Sequence, residues 1–340
     1  NELLAPTVGH WPYSDFIPQY QSFYGFLLNP FAGSMSASQL SKLAFMGLTI
    51  LTFLTIALGV YIAWNAIGRR SIFLTIGLVV PFTGLTQFPI REGYMGSIAS
   101  LLSGLSVRIF PGLALLGLLL VLLSKTATSS QVKKTIAFLI FGFVAGIVSW
   151  QSQDFGIAAV VTAYLVIIFA GSSRLIEVKT TLIALIGYVP GFALYPVIAA
   201  LAGKAVSFDF FLFFARQFGS GFGAERMRTP GPVLYILPLL VMLVVVHGIY
   251  LYKSKKSSVE TAELSLSSLI GFTFGLWSLF GFTYYLNRSY ASGQMQILFL
   301  TIAISLAALV GIVMKVLDGE LPKGFLLSKT NRSSTNFAWI

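Results

Sequence analysis

All 22 Lys and Arg residues and all 11 Asp and Glu residues of this chain fall outside its long apolar runs or at their very ends. The runs are of the length, about 20 residues, that a helix needs to cross the hydrocarbon of a bilayer. Such a chain is expected to be an all-α, polytopic integral membrane protein. Composition agrees: hydrophobic residues make up 56% and charged residues 10%, whereas a soluble domain carries about 25% charged residues. Mean hydropathy is +0.85. The net charge of +11 is then a signal of topology and of contact with anionic lipid, and no nucleic-acid partner is expected. The absence of cysteine excludes disulfides, zinc–thiolate sites and cysteine nucleophiles.

Nine spans are expected, at 43–67, 71–90, 109–124, 135–150, 155–172, 180–203, 232–252, 265–287 and 293–315. They form a transmembrane domain over 43–315, between an aromatic-rich segment (1–42) and a tail (316–340). Arg69 and Arg70, Lys125 with Lys133 and Lys134, Arg174 with Lys179, and Lys253 with Lys255 and Lys256 fall in alternate connections. The positive-inside bias makes those connections and the tail cytoplasmic. Residues 1–42, 91–108, 151–154, 204–231 and 288–292 are then external, and the protein is expected in the cytoplasmic membrane with its active face outside. The chain starts at Asn1 and has no apolar run before residue 43 long enough to span, so sequence upstream of Asn1 is expected.

The external segments differ from ordinary loops. HWPYSDFIPQYQSFYGFLLNPF and SFDFFLFFARQFGSGFGA are aromatic and poorly charged, and each reads as an amphipathic helix lying in the interface. Residues 91–108 read as a re-entrant or interfacial helix leading to a span that starts at Pro111, where proline suits the first turn.

The candidate chemistry lies on that face. Asp15, flanked by aromatics, is placed to act as a general base toward a sugar hydroxyl, with Gln19 one turn on; the alternative is that Ser14 or Asp15 caps a helix whose first turn holds Pro18. Gln151, Gln153 and Asp154 crowd a short turn. They suit sugar hydroxyls or a divalent cation, unless Asp154 only caps the next helix. Arg91 and Glu92 end an apolar run and cannot face each other on a helix, so one suits a phosphate and the other a sugar, or both mark the interface. Arg216, Arg226, Arg228 and Arg288 run against the positive-inside bias. Their guanidinium forks match phosphate oxygens, of a lipid headgroup or of a lipid-linked substrate. Tyr284, Tyr285, Asn287 and Tyr290 surround Arg288 and suit a sugar or an aromatic belt. Trp150 is expected at interfacial depth, and the lone helical His247 is expected to be a packing residue.

No Gly-rich phosphate loop, HExxH motif or nucleophile elbow is present. No charged residue lies in the middle of a span, which counts against an ion-coupled carrier.

SDFIPQYQSFYG is similar to the first external loop of GT-C glycosyltransferases, polytopic enzymes that use polyprenyl-phosphate sugars. GFVAGIVSWQSQDFGIAAVVTAYLVIIFAG, RMRTPGPVLYILP and YYLNRS resemble stretches of uncharacterised bacterial members, so the resemblance is scattered over roughly residues 10–290. It implies that Asp15 is the catalytic base and that the arginines hold the donor phosphate as it gains charge. It also implies a glycan, lipid or protein acceptor. The family's first loop follows an initial transmembrane helix, which this chain lacks before residue 43, and the large C-terminal domain of some members is also missing. Two further readings are a ligase or polymerase of lipid-linked oligosaccharides, and a non-catalytic subunit that binds partner membrane subunits.

Overall fold

A helix in lipid satisfies its own backbone, so side chains decide which helices meet and how closely. The computed structural model describes residues 2–18, 23–83, 107–125, 130–153, 155–171, 178–219, 233–256, 262–286 and 296–318. Every regular element among them is helical: α1 (Ala37–Ala66), α2 (Ile72–Val79), α3 (Phe110–Lys125), α4 (Gln131–Gln151), α5 (Phe155–Gly171), α6 (Val178–Leu201), α7 (Phe208–Gly219), α8 (Val233–Lys256), α9 (Ala262–Leu286) and α10 (Gln296–Leu317). Short 3-10 turns occupy Ala5–Val8, Tyr24–Phe31 and Val80–Thr83.

Six helices among the described residues are long and apolar enough to cross a membrane: α1, α4, α6, α3 with the turn before it, and most of α8 and α10. Phe155–Phe169 and Leu266–Phe282, within α5 and α9, are shorter apolar stretches. The span expected at 71–90 is described only as α2 and the turn after it. The helix starts have local causes. Ser36 and Gln39 form a reciprocal capping box at α1, extending that helix six residues before the expected start at 43, and the Ser71 hydroxyl accepts from the Leu74 N–H at α2. Pro111 lies in the first turn of α3, as expected.

The closest helix contact is between α4 and α6. A Cβ added to Gly142 would fall inside the carbonyl of Ala184, and one added to Gly191 inside the carbonyl of Phe143. Gly187 and Gly146 are equally blocked, by the carbonyl of Leu139 and the amide of Phe192. Four glycines, in a Gly-x3-Gly pair on each helix, therefore let two backbones touch, the small-residue contact that packs helices in lipid. Residue number rises together on both helices along this seam, so α4 and α6 are parallel. The 17 residues of α5 connect them in sequence and return the chain to the other end.

The second bundle, α8–α9–α10 with α1, uses polar side chains. His247 Nε2 lies 3.0 Å from the Ser305 carbonyl, Ser305 Oγ donates to the Gly271 carbonyl at 2.9 Å, and Ser267 Oγ donates to the Ala66 carbonyl at 2.6 Å. A carbonyl only accepts, so His247 carries its proton on Nε2. Its ring fills the notch left by Gly271. The expectation of a packing histidine agrees with this geometry.

Two ends of the molecule follow from the contacts. Arg70 pairs with Asp318, which brings the C-terminal ends of α1 and α10 together. At the opposite end, the C-termini of α4 and α6 meet the N-terminal segment, and the Trp277 indole of α9 donates to the Phe155 carbonyl at 3.0 Å.

Candidate functional site

The N-terminal segment crosses the ends of α4 and α6 as a strap. It was expected to be an amphipathic helix, but residues 11–18 form an irregular turn between two 3-10 pieces. The cause lies in the sequence: prolines at 6, 12, 18 and 30 interrupt any longer run. Tyr13 takes a left-handed conformation, φ 58°, and its N–H donates to the Phe16 carbonyl at 2.8 Å. α7, the other expected amphipathic segment, is a helix, with Phe211 buried and Phe208 exposed.

Hydrogen bonds tie the strap to three separate elements. Tyr13 Oη donates to the Trp150 carbonyl at 2.8 Å, the Tyr195 hydroxyl donates to the Pro12 carbonyl, and the Ser207 N–H donates to the Tyr13 carbonyl at 2.7 Å. The aromatic rings close around them. Trp150 packs against Phe211 with centroids 4.5 Å apart, and Phe23 against Tyr195 at 4.8 Å. Trp150 is fully buried and its indole donates to the Phe192 carbonyl at 2.7 Å. It is thus a core residue of this end of the molecule.

Asp15 sits on this strap. Its carboxylate accepts from the Trp11 N–H at 2.7 Å and meets Lys204 Nζ at 2.8 and 3.0 Å. The Lys204 ammonium, the Trp11 N–H and more distantly His10 hold its proton affinity below the ordinary value of 3.8. Asp15 is therefore a carboxylate at neutral pH, held by an ion pair that sequence did not anticipate and by a bond back to the Trp11 N–H; residues 16–18 start no helix, so it is not the helix cap offered as the alternative.

Gln151 and Gln153 are also engaged. Gln151 is buried; its Oε1 accepts from the Phe23 N–H at 3.0 Å, and its Nε2 is shielded with no hydrogen-bond partner among the described residues. Gln153 donates to the Phe211 carbonyl. Arg216 pairs with Asp209 at 2.7 Å on the exposed side of α7. Gln19, Arg91, Glu92, Asp154, Arg226, Arg228, Asn287, Arg288 and Tyr290, with the side chains of Tyr284 and Tyr285, lie outside the described residues. No group of three or more His, Asp or Glu residues placed to hold a metal ion occurs among the described residues.

Three stretches remote in sequence therefore meet at one end: residues 11–18 with Phe23, the turn 151–153, and residues 195–211. Lys204, Tyr13, Trp11 and Tyr195 belong to this cluster, and sequence reasoning did not single them out. A signal existed for Lys204. It is a cation in a connection whose neighbours on the same side carry few lysines, so it called for a carboxylate partner. Comparison with known protein families, curated proteins and solved structures finds no match for this chain.

Proposed function

We propose that this chain is a membrane glycosyltransferase of GT-C type. It moves a sugar from a polyprenyl-phosphate donor to a hydroxyl of a glycan, lipid or protein. The chain crosses the membrane nine times, with the Asp15 end of the molecule external and the Arg70–Asp318 end cytoplasmic. The observation that carries the reading is the convergence of Asp15, Gln151, Gln153 and Lys204 at one end, beside an aromatic cluster, although they come from segments far apart in sequence.

In this reading the acceptor hydroxyl displaces Lys204 from Asp15 and delivers its proton to the freed carboxylate as the glycosidic bond forms. Arg226, Arg228 and Arg288 meet the leaving phosphate, whose charge grows as the bond to the anomeric carbon breaks. A ligase or polymerase of lipid-linked oligosaccharides would use the same face with a diphosphate donor.

A non-catalytic subunit is the second reading. It is favoured by one observation: Asp15, Gln151 and Gln153 already bond to neighbouring protein groups. Two variants separate the readings. Asp15→Asn removes the base and should lower transfer by about two orders of magnitude. Lys204→Gln breaks the same ion pair but keeps the carboxylate, and should retain most of the turnover. Equal loss in both would give Asp15 a purely structural role, and full activity of Asp15→Asn would end the proposal. Ser14→Cys and Ser71→Cys, placed in a chain with no native cysteine, test the orientation. An impermeant thiol reagent applied outside should label only the first.

A further inference from the structure

Beneath the strap lies a groove of about 360 Å³ lined by Trp11, Phe23, Phe26, Ile147, Leu194 and Ile198, with Gly191 and Tyr195 between them. Its volume is in the range of sites that hold small molecules. It arises because the glycine seam brings α4 and α6 together while the strap's rings stand off that seam; Trp11 and Phe26 lock edge to face at 4.9 Å. The walls are apolar. Tyr195 belongs to the lining, but its hydroxyl is occupied by the Pro12 carbonyl.

The position of the groove identifies its occupant. It opens along α6, a helix long and apolar enough to span. Ile198, a lining residue, is 45% exposed, and Leu201, one turn further along the same side of the helix, is 85% exposed. Such a face meets lipid, so the groove is filled from the bilayer and not from water. Its roof is the 11–15 turn, which carries the Asp15–Lys204 pair with side chains 26% and 31% exposed. This pair presents an ammonium and a carboxylate side by side with no net charge. A phosphoethanolamine headgroup has the complementary pair, a phosphate for Lys204 and an amine for Asp15. A singly signed headgroup would gain at one partner and lose at the other.

We infer that the strap, α4 and α6 form a binding site for one acyl chain of phosphatidylethanolamine, with its headgroup at the Asp15–Lys204 pair. The bound chain supports the strap from below and makes its seating depend on the bilayer. This site does not rest on the transferase reading; in that reading the acceptor hydroxyl must displace the headgroup to reach Asp15.

The test uses the full chain in nanodiscs containing phosphatidylethanolamine, phosphatidylglycerol and polyprenyl phosphate, followed by gentle extraction and native mass spectrometry. Wild type should retain one phosphatidylethanolamine per chain. Ile198→Trp, which fills the groove, should reduce that retention about tenfold. The double variant Asp15→Asn/Lys204→Gln should keep a lipid but lose the preference for ethanolamine. Preferential retention of phosphatidylglycerol or polyprenyl phosphate by wild type would overturn the assignment, as would unchanged retention in Ile198→Trp. A second measurement is independent of the folding of Ile198→Trp. Phosphatidylethanolamine with brominated acyl chains should quench a component of the tryptophan fluorescence that disappears in Trp11→Phe, and absence of that component would also sink the site.

Discussion

Along the α4–α6 seam the facing atoms are backbone carbonyls and bare glycine positions, whereas α8, α9 and α10 meet through hydroxyls and a histidine ring. Both solutions answer the same difficulty. Lipid chains are as apolar as leucine, so burial alone does not hold helices together. The glycine seam gains van der Waals contact by bringing two backbones to the limit of approach, and it has no slack. The polar bundle has slack at Ser278, whose hydroxyl keeps a local partner. Ser278 Oγ lies 2.7 Å from both the Phe274 carbonyl and Thr301 Oγ1, so loss of the interhelical contact leaves an intrahelical one.

The sharpest way to break this comparison is to put a side chain into the seam. Gly191→Val or Gly187→Val should cost about 3 kcal/mol or more, the upper range for overpacking, because the obstructing atoms are backbone and cannot rotate away. Unfolding in a denaturing-detergent titration measures the effect. Gly47→Ala in α1, where an added Cβ meets nothing within 4 Å, is the control. It should be neutral or stabilising by up to about 1 kcal/mol, the helix-propensity difference. Equal behaviour of the two would show that the seam is not a backbone contact.

His247→Ala comes next. It removes the bond to the Ser305 carbonyl and empties the notch at Gly271, and should destabilise by about 2 kcal/mol. Ser278→Ala should cost only about 0.6 kcal/mol, the average for hydroxyl bonds between membrane helices. A loss for Ser278→Ala as large as for His247→Ala would contradict the idea that this hydroxyl has a local fallback.

The smallest expected effect on global stability belongs to the strap. The proton affinity of Asp15 is lowered in the folded protein, so the stability that it contributes is present above its ordinary value of 3.8 and is lost as pH falls through the lower folded value. The strap should therefore stay seated from pH 7 to about pH 4 and loosen below that. The difference in tryptophan emission between wild type and Trp11→Phe reports on it. Loosening already at pH 6 would assign the effect to another group.

The helices were legible in the sequence because apolar runs and flanking charge report directly on what lipid accepts. The six helices long enough to span coincide with expected spans, within a few residues. The early start of α1 is a capping effect of Ser36 and Gln39, which hydropathy does not register. The strap was misread because its aromatics were taken as a lipid-facing stripe, while its prolines and Tyr13 direct them onto Trp150 and Tyr195. Asp15 was legible as a carboxylate outside the apolar spans, but its partner was not, because Lys204 lies 189 residues away in sequence. The seam glycines stood in view as two Gly-x3-Gly pairs. Their meeting depends on α4 and α6 being parallel neighbours, a fact of threading that no local pattern encodes.

That threading sets an order of events during synthesis. α4 and α6 touch more closely than any other pair, yet α5, which packs mainly against α3 and α9, must be made before α6. At a synthesis rate of about 5–20 residues per second, Gly142 and Gly146 wait a few seconds before Gly187 and Gly191 emerge. During that interval α4 sits in lipid with a bare groove along one flank, and any other small-residue helix that is being inserted can dock there. The tightest joint of the finished protein is thus also a window for mispairing, and that window closes once α6 has entered.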